Sequence, residues 1–277
     1  MKNKHVIKKK YGQNFLNDLH LLKMIVDKTN LKNKNVVEIG PGKGSLTNFI
    51  LPQAKKVLAY EIDIFLKPFL IFDNYSDKIN IIYTDVLNRD LEKDFKHFFP
   101  EEEDIVLIGN LPYYLTTVLL SKILFLNKIK IFTVLIQKEV ALRILSTECK
   151  KNYGSLSVIM QSLTKIEKIK LVKKDMFYPK PKVDGMVLKF TKICFEKAKK
   201  DFLQNEFYTF VKASFKQKRK TLINNLSIYF CVSKEKLLFF FQKYQININI
   251  RAEQIDTLRF QKIAFLFYNF FQFKKKL

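Results

Sequence analysis

From residue 35 to residue 136 the chain alternates short apolar runs with amphipathic stretches of helical length. NVVEI, KVLAY, INIIY, DIVLI and IFTVLI read as buried strands, because short continuous apolar runs bounded by polar residues fit a strand covered on both faces. Strands alternating with helix-length segments predict an α/β unit built on a parallel sheet of the Rossmann-like kind. Two further runs, at 166–172 and 183–190, are joined by the proline-rich FYPKPKVDG without an intervening helix. That predicts an antiparallel pair closing the sheet. After about residue 195 apolar residues recur at helical spacing with few prolines or glycines, which predicts a small all-helical domain over 196–277 after a sheet domain over 1–195. The segment IAFLFYNFFQF at 263–273, broken by Asn269 and Gln272, reads as a buried helix.

Composition adds a partner to this picture. The 277 residues are 48% hydrophobic, enough for a sizeable core, yet carry 50 basic against 26 acidic side chains, a net charge of +24. Such an excess points to a polyanion, with nucleic acid the leading candidate. A lysine-, asparagine-, isoleucine- and phenylalanine-rich chain is also what an AT-rich genome encodes, so the charge is discounted without being discarded. Seventeen of the basic and only six of the acidic side chains fall within 196–277, making the helical part the denser in charge. Cys149, Cys194 and Cys231 have no zinc or redox-pair spacing and are expected as buried free thiols of a reducing compartment. His5, His20 and His97 are scattered, so neither a metal site nor Cys–His or zinc hydrolysis is expected. The N-terminal MKNKHVIKKKYGQNFL lacks the apolar core of a signal peptide and no run approaches ~18 apolar residues, so a cytoplasmic protein without a membrane partner is expected.

The candidate chemistry sits at the strand ends. The first strand runs into EIGPGKGSLT, putting Gly40, Gly42 and Gly44 between a strand and a helix starting near Ser45. Glycine serves where the backbone turns sharply and a ligand comes close. The spacing is G-x-G-x-G, with Ser45 where a dinucleotide fingerprint has its third glycine, which weighs against NAD. Glu61, twenty-one residues beyond Gly40, ends the second strand and can accept hydrogen bonds from both hydroxyls of a ribose. Asp85 ends the third, placed to receive an adenine amine. Each carboxylate taken singly could be an exposed loop acid; at successive strand ends they describe a site for an adenosine without phosphates. S-adenosyl-L-methionine fits that description.

Beyond the next strand comes IGNLPYYLTT, residues 108–117. Pro112 can simply end a strand and open a turn before a helix near Leu115. In a sheet-edge ligand site the same residues offer an amide acceptor, Asn110, and a flat stacking surface, Tyr113.

At this point the sequence resembles the ribosomal RNA adenine N6,N6-dimethyltransferases of the KsgA family. The resemblance runs in order through KKYGQNFLND, VVEIGPGKGSLT, YEID, IGNLPYYLTT, LIQKEVALRI, YGSLSVIMQ, FYPKPKVDG, SFKQKRKTLINNL and RAEQID, nearly the whole chain. The glycine-rich loop is common to many methyltransferases; GQNFL with NLPYYLTT and FYPKPKVD is far more specific. The resemblance implies cofactor contacts at Asn14, Leu16, Gly40, Glu61, Asp85 and Asn110, with Gln13 close by; Gly42 of the glycine turn is a further candidate contact. It implies a substrate of two adjacent adenosines in the hairpin loop near the 3′ end of small-subunit rRNA, within an immature small ribosomal subunit. Val118 stands where many relatives have proline, Gly185 where they often have serine, and Lys218 where an arginine pair is usual; these leave substrate detail, rather than reaction type, open.

On this reading the Asn110 side-chain oxygen and the Leu111 carbonyl accept from the adenine amine, Pro112 fixes their direction, and Tyr113 stacks on the extruded base. Phe177 is a second aromatic face for the base or an ordinary core phenylalanine. The basic arm over 1–12 leads a segment that folds over the cofactor. Lys212, Lys216, Arg219 and Lys220 are expected along one side of a helix as phosphate contacts, although charge runs are commonly just solvated faces. Two alternatives remain: a large-subunit rRNA methyltransferase of the antibiotic-resistance type, and a non-catalytic nucleic-acid-binding factor. A monomer is expected, because no apolar stripe is left over for self-association.

Overall fold

The computed structural model describes residues 6–8, 11–99 and 103–272. Of the basic arm expected over 1–12, residues 1–5, 9 and 10 lie outside the described residues. The elements in order are β1 (Phe15–Leu16), α1 (Leu19–Thr29), β2 (Asn35–Ile39), α2 (Thr47–Ile50), β3 (Lys56–Glu61), β4 (Ile79–Tyr83), α3 (Leu91–Phe98), β5 (Ile105–Asn110), α4 (Thr116–Phe125), β6 (Ile129–Gln137), α5 (Lys138–Ile144), α6 (Ser155–Leu163), β7 (Thr164–Val172), β8 (Phe177–Tyr178) and β9 (Gly185–Lys192). They continue with α7 (Lys197–Phe202), α8 (Tyr208–Ser214), α9 (Leu222–Phe230), α10 (Lys234–Lys243) and α11 (Thr257–Phe271).

The chain divides into two compact units, one drawn from residues 1–141 and 166–192, the other from 142–165 and 193–277. In the first, seven strands form one sheet in the order β4-β3-β2-β5-β6-β9-β7. The pairs β2/β3, β2/β5, β3/β4 and β5/β6 are parallel, and β9 runs antiparallel to β6. All five runs expected as strands are strands, and the two later ones are sheet neighbours beyond β6. Every residue of β2 is buried, as the unbroken apolar run requires of a strand covered on both faces. Helix α1 starts where Asp18 accepts from the Leu21 N–H and stops at Asn30 in the left-handed region, so its entry and exit are both written locally.

The second unit is a phenylalanine-rich helical bundle. Phe210, Phe240, Phe260 and Phe267 are fully buried, with ring centroids 5.2 Å apart for Phe210–Phe267, 5.8 Å for Phe240–Phe267 and 6.3 Å for Phe210–Phe260. The expected boundary at 195 is incomplete: residues 142–165 also belong here, because the apolar helix α6 packs on α8 and α11. The segment expected as a buried helix is the end of α11, which buries one stripe of Phe260, Ile263, Ala264 and Phe267 and exposes Phe265. The three cysteines, expected buried, are free and exposed. No described helix is long and apolar enough to cross a membrane.

Candidate active site

The carboxyl ends of β2, β3 and β5 and the loop after β4 converge on one cleft, lined by Gly40, Gly42, Glu61, Asp85, Asn110 and Tyr113 among others. Gly42 sits at φ +61°, and a Cβ there would stand 3.0 Å from the Phe15 ring. Its bare N–H donates to Glu61 Oε2 at 3.0 Å, while the Asp63 N–H donates to Oε1 at 2.9 Å. Main-chain donors thus meet both carboxylate oxygens and fix their direction into the cleft. Glu61 is 4% exposed, and burial, with the nearby Asp63 charge, raises its pKa against the pull of the Asp63, Gly42 and Ile62 N–H groups. Asp85 caps the one-turn 3-10 helix Val86–Asn88, with Oδ1 accepting from the Leu87 N–H at 2.9 Å. A glycine cradle, a ribose-sized carboxylate and a second carboxylate one strand further on suit an adenosine lacking phosphates.

The segment 11–16 lies along the same cleft. Asn110 Nδ2 donates to the Asn14 carbonyl at 2.9 Å, and Asn14 Nδ2 donates to the Gly12 carbonyl at 3.0 Å. The first bond fixes the Asn110 amide, with Oδ1 as its acceptor end. Leu16 lines the cleft from β1. Gln13 lines it too, but both ends of its amide are engaged within the protein: Oε1 accepts from the Lys8 N–H at 2.9 Å and Nε2 donates to Asp63 Oδ2 at 2.8 Å. Lys8 Nζ lies 2.7 Å from Asp63 Oδ1. Gln13 thus fastens the segment to Asp63, on the Glu61 side of the cleft.

After Asn110 the loop is held by α4. Thr116 Oγ1 shares its one proton between the carbonyls of Pro112 (3.1 Å) and Tyr113 (3.3 Å), and the Leu115 N–H donates to Pro112 O at 3.1 Å. The Leu111 N–H donates to Leu135 O at 3.1 Å across to β6. Tyr113 faces the cleft; its hydroxyl is buried without a hydrogen-bond partner among the described residues, and burial, with Asp184 adding to it, pushes its pKa up to about 12.

Two expectations need correction. Phe177 is a core residue: 4% exposed, packed with Leu16, Leu135 and Val187, and absent from the cleft wall. Its antiparallel pairing with Leu16 turns the ring inward, and alternation along β8 turns Tyr178 out instead. The basic run does not lie on one helix. Lys212 is on α8, which ends at Ser214, while Lys216, Arg219 and Lys220 occupy the exposed loop before α9. The cause is Asn225, 2% exposed, whose Nδ2 donates to the carbonyls of Ser214 (2.9 Å) and Gln217 (3.1 Å) and whose Oδ1 accepts from the Gln217 N–H at 3.0 Å. A buried side-chain amide takes the groups that a further turn of helix would use.

Sequence reasoning missed Asp63 and Glu38. Asp63 is marked only by its place two residues after Glu61, and Glu38 reads as one more residue of a buried strand. Glu38 is 1% exposed, accepts from Thr47 Oγ1 at 2.8 Å, and burial pushes its pKa from 4.5 up to about 8, with Glu61 adding to the shift. A carboxyl raised in the folded state holds a proton that the unfolded chain releases, so stability falls as pH rises from about 4.5 to about 8. Glu38→Gln keeps an acceptor for Thr47 and removes the titration. Urea unfolding at about pH 5 and about pH 8 should therefore show the variant gaining on the parent by several kcal/mol at most, on the order of one per pH unit; an equal difference at both pH values would contradict the assignment.

Five parallel strands whose carboxyl edge carries a glycine turn and two strand-end carboxylates, followed by an N-L-P-Y loop, have the form of a methyltransferase of the S-adenosylmethionine-binding class. The profile of the ribosomal RNA adenine dimethylases matches residues 4–268. The ribosomal RNA small subunit methyltransferase A of Onion yellows phytoplasma is 55% identical over 271 residues, covering 96% of this chain and 98% of its own. The protein of the same description from Mycoplasmopsis pulmonis is 38% identical, covering 90% and 94%. A crystal structure of a dimethyladenosine transferase from Plasmodium falciparum shares the fold, with a TM-score of 0.75 at 24% identity over 92% of this chain and 97% of that one. The chain belongs to the ribosomal RNA adenine dimethylase family. It is accordingly an rRNA methyltransferase that uses S-adenosylmethionine.

Proposed function

We infer that this enzyme dimethylates N6 of two adjacent adenosines in the 3′-terminal hairpin loop of small-subunit rRNA, acting on the immature small subunit. The small-subunit target rests on the relatives at 38% and 55% identity that bear that description. The reaction assignment to residues rests on one observation, the orientation of Asn110, whose donor end is committed to the Asn14 carbonyl.

S-adenosylmethionine brings a methyl group already activated by its sulfonium leaving group, so the chain's task is to aim a poor nucleophile. The adenine amine is poor because its lone pair is delocalised into the ring. Asn110 Oδ1 and the Leu111 carbonyl accept from that amine and favour the pyramidal form whose lone pair faces the methyl. The loop that carries the Leu111 carbonyl is held by the Leu111 N–H on Leu135 O and by the hydrogen bonds to Pro112 O and Tyr113 O, which supports this role. Tyr113 stacks on the extruded base, a contact worth about 1–3 kcal/mol. Glu61 binds the ribose hydroxyls, and Asp85 the adenine amine of the cofactor. No strongly basic group is required, since the methylated amine is acidic enough to lose its proton to water. After one transfer a single N–H remains for one of these acceptors, so a pocket that tolerates the N-methyl group can act a second time. Lys212 and the exposed loop carrying Lys216, Arg219 and Lys220 suit RNA phosphates.

The test supplies the purified enzyme with methyl-labelled S-adenosylmethionine and either unmethylated small subunits or large-subunit rRNA, followed by digestion to nucleosides. Labelled N6,N6-dimethyladenosine from the small subunit alone is expected. Label from large-subunit RNA alone would overturn the target.

A further inference from the structure

On the far side of the adenine end of the cleft, one side chain from α4 holds the loop that presents Asp85. Lys122 Nζ donates to the carbonyls of Leu87 (2.9 Å) and Arg89 (2.8 Å) and, at 3.3 Å, to that of Val86. Three acceptors match the three N–H bonds of an ammonium. A one-turn 3-10 helix satisfies few of its own carbonyls, and a cation at its C-terminal end both pairs those carbonyls and complements their partial negative charge. At the other end of the same turn Asp85 Oδ1 accepts from the Leu87 N–H. Residue 87 is therefore gripped from both sides, its N–H by Asp85 and its carbonyl by Lys122. Arg89 carries the bracing further, its Nε donating to Asp94 Oδ2 at 2.9 Å. Val86, within the gripped turn, is part of the cleft wall.

We propose that Lys122 is a positioning residue for adenine recognition: by tying the carbonyls of residues 86, 87 and 89 to α4, it sets the direction in which Asp85 meets the exocyclic amine of the cofactor. Helix α4 begins directly after N-L-P-Y-Y-L. The same rigid element thus carries the loop that aims the substrate amine and the amine that aims the cofactor's adenine reader. Without Lys122 the turn exposes unpaired carbonyls and Asp85 loses its fixed bearing, while Glu61 and Asn110, on their own strands, keep theirs.

The inference rests on the reading of Asp85 as the adenine contact, and the experiment separates the two. Equilibrium affinities are measured for S-adenosylhomocysteine and for S-inosylhomocysteine, in which a carbonyl replaces the amine that Asp85 would accept from. The parent should prefer the adenosine form. Lys122→Met, which keeps most of the aliphatic stem and loses the donors, should weaken S-adenosylhomocysteine binding about tenfold and shrink the preference, leaving S-inosylhomocysteine affinity little changed. Lys122→Arg, which retains several donors, should recover much of the preference. Thermal unfolding is followed alongside; Lys122→Gln, with a polar head and two donors, takes the methionine variant's place should that one not fold. Asp85→Ala is the reference. If it keeps the parent's preference, the reading of Asp85 fails; if it loses the preference and the folded Lys122 variant retains it, the positioning role is overturned.

Discussion

Asn110→Ala retains S-adenosylmethionine affinity within several-fold and loses turnover by a factor on the order of 10²–10³, the range seen when one preorganised hydrogen-bonding group is removed from a reacting centre. The asymmetry follows from what the side chain touches. Its Nδ2 binds a main-chain carbonyl of the segment 11–16, whereas Glu61, with its donors Gly42 and Asp63, lies on other strands and is unaffected. Cofactor binding should thus survive, apart from some loosening of Asn14. On the proposed assignment the lost Oδ1 is one of two acceptors for the adenine amine, and without it the nucleophile reverts to its delocalised form. Single-turnover methylation of small subunits at saturating cofactor isolates the step. Asn110→Asp sharpens the reading: it keeps an acceptor, but its second oxygen faces the Asn14 carbonyl without a proton, so the segment is repelled and affinity as well as rate should fall. Turnover near the parent's in Asn110→Ala would sink the catalytic assignment.

Much of this site is legible in the sequence, because its parts lie at strand ends and strand ends are written locally. NVVEI, KVLAY and DIVLI are apolar almost throughout since both faces of the sheet are covered, and the residues that close these runs or follow them, Gly40, Glu61 and Asn110, fall at one edge by topology alone. What could not be read is where side chains go when their partners are distant in the chain. Gln13 lines the cleft as the motif suggests, but the sequence does not show that its amide spans Lys8 and Asp63, the latter fifty residues on. The run KASFKQKRK has helical composition, yet α8 stops at Ser214 because the amide of Asn225, eleven residues later, binds the carbonyl there. Phe177 had two readings of equal standing in a chain with 27 phenylalanines, and only its pairing with Leu16 decides which way the ring points. Lys122 carried no signal at all: a lysine on an amphipathic helix is ordinarily a solvated one.

Gly109→Ala should be the most damaging single methyl that can be added to the sheet. Gly109 pairs with Ile39 in the parallel β2/β5 ladder, and a Cβ at 109 would lie 2.4 Å from the Ile39 carbonyl oxygen, 3.3 Å from its carbon and 3.2 Å from its nitrogen. The obstacle is main chain, so no rotamer change relieves it; two central strands must separate by roughly an ångström, where packing is already close. A cost of about 3 kcal/mol or more is expected, at or above the upper end for an overpacked core. The loss extends to function, because the residues displaced adjoin Gly40, just past the end of β2, and Asn110, at the end of β5, both of which line the cleft. Urea unfolding and S-adenosylmethionine titration should therefore fail together. Gly154→Ser serves as the control: among the described residues nothing lies within 4 Å of a Cβ there, and serine suits the N-cap of α6, so stability should change by no more than about 0.5 kcal/mol. Parental stability in Gly109→Ala would mean that β2 and β5 have slack at their carboxyl ends. A cradle with that slack could not hold Asn110 in the orientation on which the catalytic reading depends.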